Sequence, residues 1–133
     1  MQKSDSVAGS CLCSKIQFTI DEFERDVVMC HCQQCRKQSG HVYAAANVKD
    51  ENLHISGAQN IKWYAASDFA KRGFCEHCGS ALFWKSNDSN TTSVMAGSLE
   101  SPTGLTTKMH IFTEYKGDYY ELDDGLPQHK HSD

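Results

Sequence analysis

Seven cysteines in three tight groups constrain this chain more than any other feature. They read Cys11-Leu-Cys13, Cys30-His-Cys32-Gln-Gln-Cys35 and Cys75-Glu-His-Cys78. An odd number of thiols cannot pair completely within one chain, so a disulfide framework does not account for them. The first twenty residues carry no apolar run flanked by basic residues and a small-residue cleavage site, so no secretory signal is visible. No window reaches the ~20 apolar residues that would span a bilayer. The expectation is a cytoplasmic, reducing location, where clustered thiols serve as metal ligands rather than disulfides.

Cys75 and Cys78 have the spacing of a zinc knuckle, in which two thiolates converge around a tight turn. Gly79 directly after them can take the positive φ that such a turn needs. Cys11 and Cys13 are two apart and share a face if their segment is extended. The two pairs make a closed four-thiolate set, the kind that holds a structural zinc. Cys30, Cys32 and Cys35 remain, and they can converge on one ion through a turn at Gln33-Gln34 while His31 points away. Three protein ligands leave a fourth tetrahedral position for water or substrate, which distinguishes catalytic from structural zinc. A zinc with three thiolates is electron-rich, better suited to holding another thiol as thiolate than to generating hydroxide. Other arrangements stay open at this point. A histidine can close the trio, the three thiols can sit reduced in the core, or Cys11 and Cys13 can join the central group and leave the knuckle short of ligands.

At 133 residues, with 39% hydrophobic and 23% charged, the chain has the composition of one soluble globular domain, residues 1–133. Alternation of polar and apolar residues predicts a strand over 15–20, with further strands over 27–29, 42–48, 53–57 and 61–64. Residues 69–74 and 81–84 flank the second cysteine pair, and 92–97 and 109–112 read as extended. Short strands with no long amphipathic helix predict a mainly β domain. Trp63, Tyr64, Phe83 and Trp84 are assigned to the core. The polar tail from about residue 128 is expected to be disordered, with His129 and His131 as incidental metal binders at most.

A formal charge of −4 argues against an electrostatic grip on nucleic acid or on an anionic membrane. Neither a zinc-deaminase pattern, nor H-E-x-x-H, nor a phosphate-binding glycine pattern is present.

Five stretches together resemble the glutathione-dependent formaldehyde-activating enzyme family, which also includes centromere protein V. They are GSCLC at 9–13, CHCQQCRKQSG at 30–40, KRGFCEHCGSALF at 71–83, AGSLESPTGL at 96–105 and HIFTEYKGDYYELDDGLPQH at 110–129. The resemblance implies an Mss4-like zinc-containing fold of two stacked antiparallel sheets. It also implies two zinc ions, one structural on Cys11, Cys13, Cys75 and Cys78, and one catalytic on Cys30, Cys32 and Cys35. The implied activity is that of a carbon–sulfur lyase resembling S-hydroxymethylglutathione synthase, which adds glutathione to formaldehyde. Glutathione or a similar thiol and an aldehyde are then the small-molecule partners. The thiol's carboxylates need cations, for which Arg36 and Lys37 beside Cys35 are the first candidates and Lys71 and Arg72 the second. His31 and His110 are the candidates for a general base, weighed against a purely structural role. The competing reading is a non-catalytic, zinc-stabilised protein-binding module.

Overall fold

A computed structural model describes residues 6–132 of the chain. Among these residues the strands are β1 (Val7–Ser10), β2 (Gln17–Ile20), β3 (Arg25–Cys30), β4 (Tyr43–Lys49), β5 (Leu53–Ser56), β6 (Ile61–Tyr64), β7 (Ala70–Cys75), β8 (Ala81–Ser86), β9 (Thr91–Met95) and β10 (Thr107–Ile111). One short α-helix, α1 (Gln33–Ser39), lies between β3 and β4. The architecture is mainly β, in agreement with the expected class. A three-stranded sheet runs β1-β2-β5, and a seven-stranded sheet runs β10-β3-β4-β9-β8-β7-β6. Every pairing between named strands is antiparallel except that of β10 with β3, which is parallel.

Local sequence explains most of these elements. In β2, Phe18 and Ile20 point inward while Gln17 and Thr19 face out, the alternation of a half-buried strand. Gly57 adopts φ 84° after β5, where a residue with a Cβ is strained, and turns the chain into β6. The small sheet supplies Val7, Phe18 and Ile20 and the large one Val48, Leu82, Phe83 and Val94 to a single buried cluster. At its centre the rings of Phe18 and Phe83 meet edge to face, 5.3 Å apart and at 62°. Such a pair adds about 0.5–1.5 kcal/mol beyond the area it buries. Cys11 and Cys75 belong to the same cluster, so the first metal-ligating group is fused to the core.

The structure departs from the sequence reading at several points. The N-terminal arm contains β1, whose partner is β2. Residues 11–13 are not a strand, since β1 stops at Ser10 and the chain turns through Ser14 at φ 67°. Where a turn was expected at Gln33-Gln34 there is the first turn of α1. Of the four aromatics assigned to the core, Phe83 is fully buried, whereas Tyr64 is 64% exposed and Trp63 lies at the surface of the edge strand β6. The segment from residue 128 lies along β10 rather than fraying. The His129 N–H bonds the His110 carbonyl at 2.9 Å, and the Phe112 N–H bonds that of His131 at 2.9 Å. No helix among the described residues is long and apolar enough to cross a membrane.

Candidate metal centres and the adjoining cavity

Two turns bring the first four thiols together. The turn after β1 carries Cys11 and Cys13; the turn after β7 carries Cys75 and Cys78, with Gly79 at φ 80° as the knuckle spacing predicts. The Ser80 hydroxyl links them, accepting the Leu12 N–H at 3.0 Å and lying 3.3 Å from Cys78 Sγ. Cys11 and Cys13 Sγ are 3.6 Å apart, and Cys13 and Cys75 Sγ 3.7 Å. A tetrahedral zinc with Zn–S bonds of about 2.3 Å requires sulfur–sulfur edges of about 3.8 Å. The four sulfurs, all within 4.8 Å of one another, therefore fit a four-thiolate zinc. Backbone N–H groups aim at them as they would at thiolates: Ile16 at Cys11 Sγ, and His77 and Cys78 at Cys75 Sγ, each at 3.4 Å. The Ser80 hydroxyl draws the Cys78 thiol down to about 5.

The second group is assembled differently. Cys30 ends β3, opposite Tyr43 of β4 and Ile111 of β10. Cys32 is the N-cap of α1, its sulfur accepting the Cys35 N–H at 3.3 Å. Cys35 lies in the first turn of that helix and is buried. The three Sγ atoms lie within 4.8 Å of one another, and no histidine, aspartate or glutamate among the described residues completes the set. A soft three-sulfur donor set at this spacing fits zinc with one corner left over. S–H donation from Cys30 and Cys35 holds the Cys32 thiol far below its ordinary range. Cys35 is pushed up to about 11, because donation from Cys30 is outweighed by Cys32 and by burial.

This trio opens into a cavity of about 660 Å³ walled by Tyr43, Phe69, Trp84 and Phe112, with Arg25 and Arg72 as its cations and no carboxylate among its lining residues. Arg36 and Lys37 do not line it, although they follow Cys35 directly. Successive helical residues rotate by about 100°, so a side chain facing the sulfurs turns its two neighbours elsewhere. Lys71 is also absent, its ammonium sitting 4.5 Å over the Trp63 ring. Arg72 is present and 4% exposed. One of its Nη2 hydrogens points at Gln34 Oε1 at 3.4 Å and another at Cys35 Sγ at 3.5 Å.

His31 and His110 are brought together, away from the cavity. Both are about 1% exposed, with His31 Nε2 2.9 Å from His110 Nδ1. His110 Nε2 lies 2.8 Å from the Asp124 carboxylate, and His31 Nδ1 2.5 Å from the Tyr120 hydroxyl. One assignment satisfies every atom: Tyr120 donates to His31, His31 to His110, and His110 to Asp124. Burial first, then the nearby His110, pushes His31 down to about 4, so the His31 ring is neutral. With each ring nitrogen engaged, neither imidazole offers a free lone pair to a substrate. Tyr120 and Asp124 fall within the stretch 110–129 that carries the family resemblance, but no spacing there marks them as partners of the cysteine loop.

Comparison with known proteins gives concordant results. An uncharacterized lyase of Schizosaccharomyces pombe is 28% identical over 115 residues, which make up 86% of this chain and 83% of that protein. A crystal structure of a Rhodobacter sphaeroides protein superposes with a TM-score of 0.61 at 25% identity, covering 75% of this chain and 97% of the other. The family model described as glutathione-dependent formaldehyde-activating enzyme matches residues 6–115.

Proposed function

The chain belongs to the glutathione-dependent formaldehyde-activating enzyme family, and from that premise we propose that it is a single-domain, zinc-dependent carbon–sulfur lyase. In this reading it joins a small glutathione-like thiol to an aldehyde. Cys11, Cys13, Cys75 and Cys78 hold a structural zinc, and Cys30, Cys32 and Cys35 hold the catalytic one. The catalytic zinc supplies a soft coordination position that favours the thiolate form of an incoming thiol. In the overall reaction the sulfur lone pair attacks the carbonyl carbon and a C–S bond forms. The carbonyl π pair moves to oxygen, which takes up the proton the thiol has lost.

One observation carries the proposal: the trio lacks a fourth protein ligand among the described residues and faces a cavity large enough for a tripeptide-sized thiol. The chain's own contribution is positioning. The aromatic walls supply apolar surface beside the sulfurs, and Arg25, whose side chain also bonds the Asp26 and Ala45 carbonyls, is a cation on the cavity wall where Arg36 and Lys37 are not. The same thiols in a purely structural role would gain nothing from such an opening.

The test is zinc analysis and calorimetric titration with glutathione on protein purified without oxygen. The expected result is two zinc ions per chain and saturable thiol binding, with Cys32→Ser losing one zinc and the binding together. A wild-type protein with one zinc per chain, or a Cys32→Ser variant that still takes up glutathione, would refute the assignment.

A further inference from the structure

Arg72 presents an electrostatic problem that the proposed reaction leaves unsolved. Its guanidinium is enclosed, yet no ion pair among the described residues includes it. Nε and Nη1 are buried without a hydrogen-bond partner. The groups that face it from every side are uncharged or thiol. Tyr64 and Trp84 are its cross-strand neighbours, the Tyr43 ring lies 5.1 Å from its centre, and Gln34 and Cys35 approach from α1. A buried cation without an anion is costly, so its counter-charge has to be sought among the groups it touches. Among the described groups it touches, the cysteine trio is the one that metal binding would make negative, since burial pushes the Tyr43 phenol up and keeps it neutral. A substrate carboxylate does not fill this role, since the unpartnered N–H groups are themselves enclosed and an incoming anion could not reach them without displacing the side chain.

We propose that Arg72 is the counter-ion of the three-cysteine centre, a positioning residue that offsets its negative charge and so favours an anionic ligand at the open corner. The inference rests on the reading of the trio as an open metal site. Three thiolates and one divalent ion sum to −1, which Arg72 brings to zero. A fourth thiolate then takes the assembly to −1 rather than −2, and a neutral ligand leaves it at zero. The guanidinium therefore discriminates by charge rather than by shape. Its Nη2 contact with Cys35 Sγ at 3.5 Å is close enough for the Coulomb interaction with the centre to be weakly screened. Among the described residues no cation bonds the sulfurs of the four-cysteine group, which are served by backbone N–H groups and a hydroxyl.

The experiment compares wild type, Arg72→Gln and Arg72→Lys. Zinc affinity is measured by chelator competition, and the binding of 2-mercaptoethanol and of imidazole by difference spectra of the cobalt-substituted proteins. Arg72→Gln is expected to lower zinc affinity at the trio and thiol affinity by tenfold or more, with imidazole affinity within twofold of wild type and the four-cysteine site unchanged. Arg72→Lys keeps the charge and should recover most of both losses. Unchanged zinc affinity in Arg72→Gln, or thiol and imidazole affinities falling together, would overturn the counter-ion role. If the glutamine variant does not fold, the lysine variant decides: a tenfold loss of thiol binding despite the retained charge overturns the proposal. A wild-type trio that binds zinc but no thiol would instead overturn the functional reading, leaving the effect of Arg72 on zinc affinity as the separate test of the counter-ion.

Discussion

Replacing one cysteine in each group separates architecture from function. Cys75 is 0% exposed and packs in the core cluster with Leu82 and Phe83. Structural zinc contributes an apparent ~10–16 kcal/mol to folding, so one of four ligands carries roughly 2.5–4 kcal/mol. A serine hydroxyl left in that slot without its metal bond adds about 1–3 kcal/mol. The Cys75→Ser loss of about 3.5–7 kcal/mol is comparable with the whole net stability of a domain, ~5–15 kcal/mol. Cys32 presents the opposite case. Its sulfur accepts the Cys35 N–H as the N-cap of α1, a role that serine fills at least as well. Cys32→Ser therefore loses a ligand but keeps the cap, and with the trio stripped of zinc in both proteins its stability should change by no more than about 1 kcal/mol. At about 4 °C per kcal/mol, thermal unfolding should fall by on the order of 15 °C or more for Cys75→Ser and by about 4 °C or less for Cys32→Ser. Melting followed by circular dichroism, with zinc analysis of the same samples, makes the comparison. Equal falls in the two variants would mean that both groups are architectural, and the distinction between them would be lost.

Two further substitutions probe the surroundings of the sites. At Gly57 the positive φ disfavours alanine, and an added Cβ would overlap the Lys15 carbonyl oxygen; Gly57→Ala should cost more than about 2 kcal/mol. Because Ile16, next to Lys15, donates its N–H to Cys11 Sγ, zinc retention should weaken along with the urea midpoint, and an unchanged midpoint would refute the account. Tyr120→Phe leaves His31 Nδ1 buried without its 2.5 Å partner. A loss of about 1–3 kcal/mol is expected in urea unfolding, and a neutral result would show that the four-residue network does not brace the cysteine loop.

Spacing alone was enough to group the cysteines, because a C-x-x-C turn and a C-x-C pair bring ligands together through local geometry that neighbouring residues dictate. Strands such as β5 and β6 were legible for the same reason: alternation and the following Gly57 are local signals. What escaped was either too short or too distant. The seven residues of α1 hold less than two full periods, and the helix is defined by the Cys32 cap and by Gly40 at φ 90°, which in sequence looks only like a break. Arg36 and Lys37 attracted attention by adjacency to Cys35, which a helix converts into different directions. Arg72 sits in a strand reading AKRGFC that suggests surface charge, and its burial depends on a thiol 37 positions away. The histidine network spans 79 and 89 positions, beyond the reach of any motif.

The two cysteine groups offer one donor chemistry in two electrostatic settings, and the settings decide what each can do. A dication among four thiolates carries −2, and around that group the neutral N–H dipoles of Ile16, His77 and Cys78 point at the sulfurs from two turns bonded to each other. Fixed dipoles stabilise a fixed charge, and a set already complete has no reason to exchange ligands. Among the described residues the trio is met by the Cys35 N–H at Cys32 Sγ and by the full positive charge of Arg72, enclosed and in no ion pair. Opposite three thiolates and a dication, which together carry −1, that charge would give a neutral assembly, and a fourth anion would then bring it to −1 rather than −2. On the proposed reading, the incomplete ligand set leaves a position for an anion that comes from outside the chain, and the guanidinium lowers its electrostatic cost.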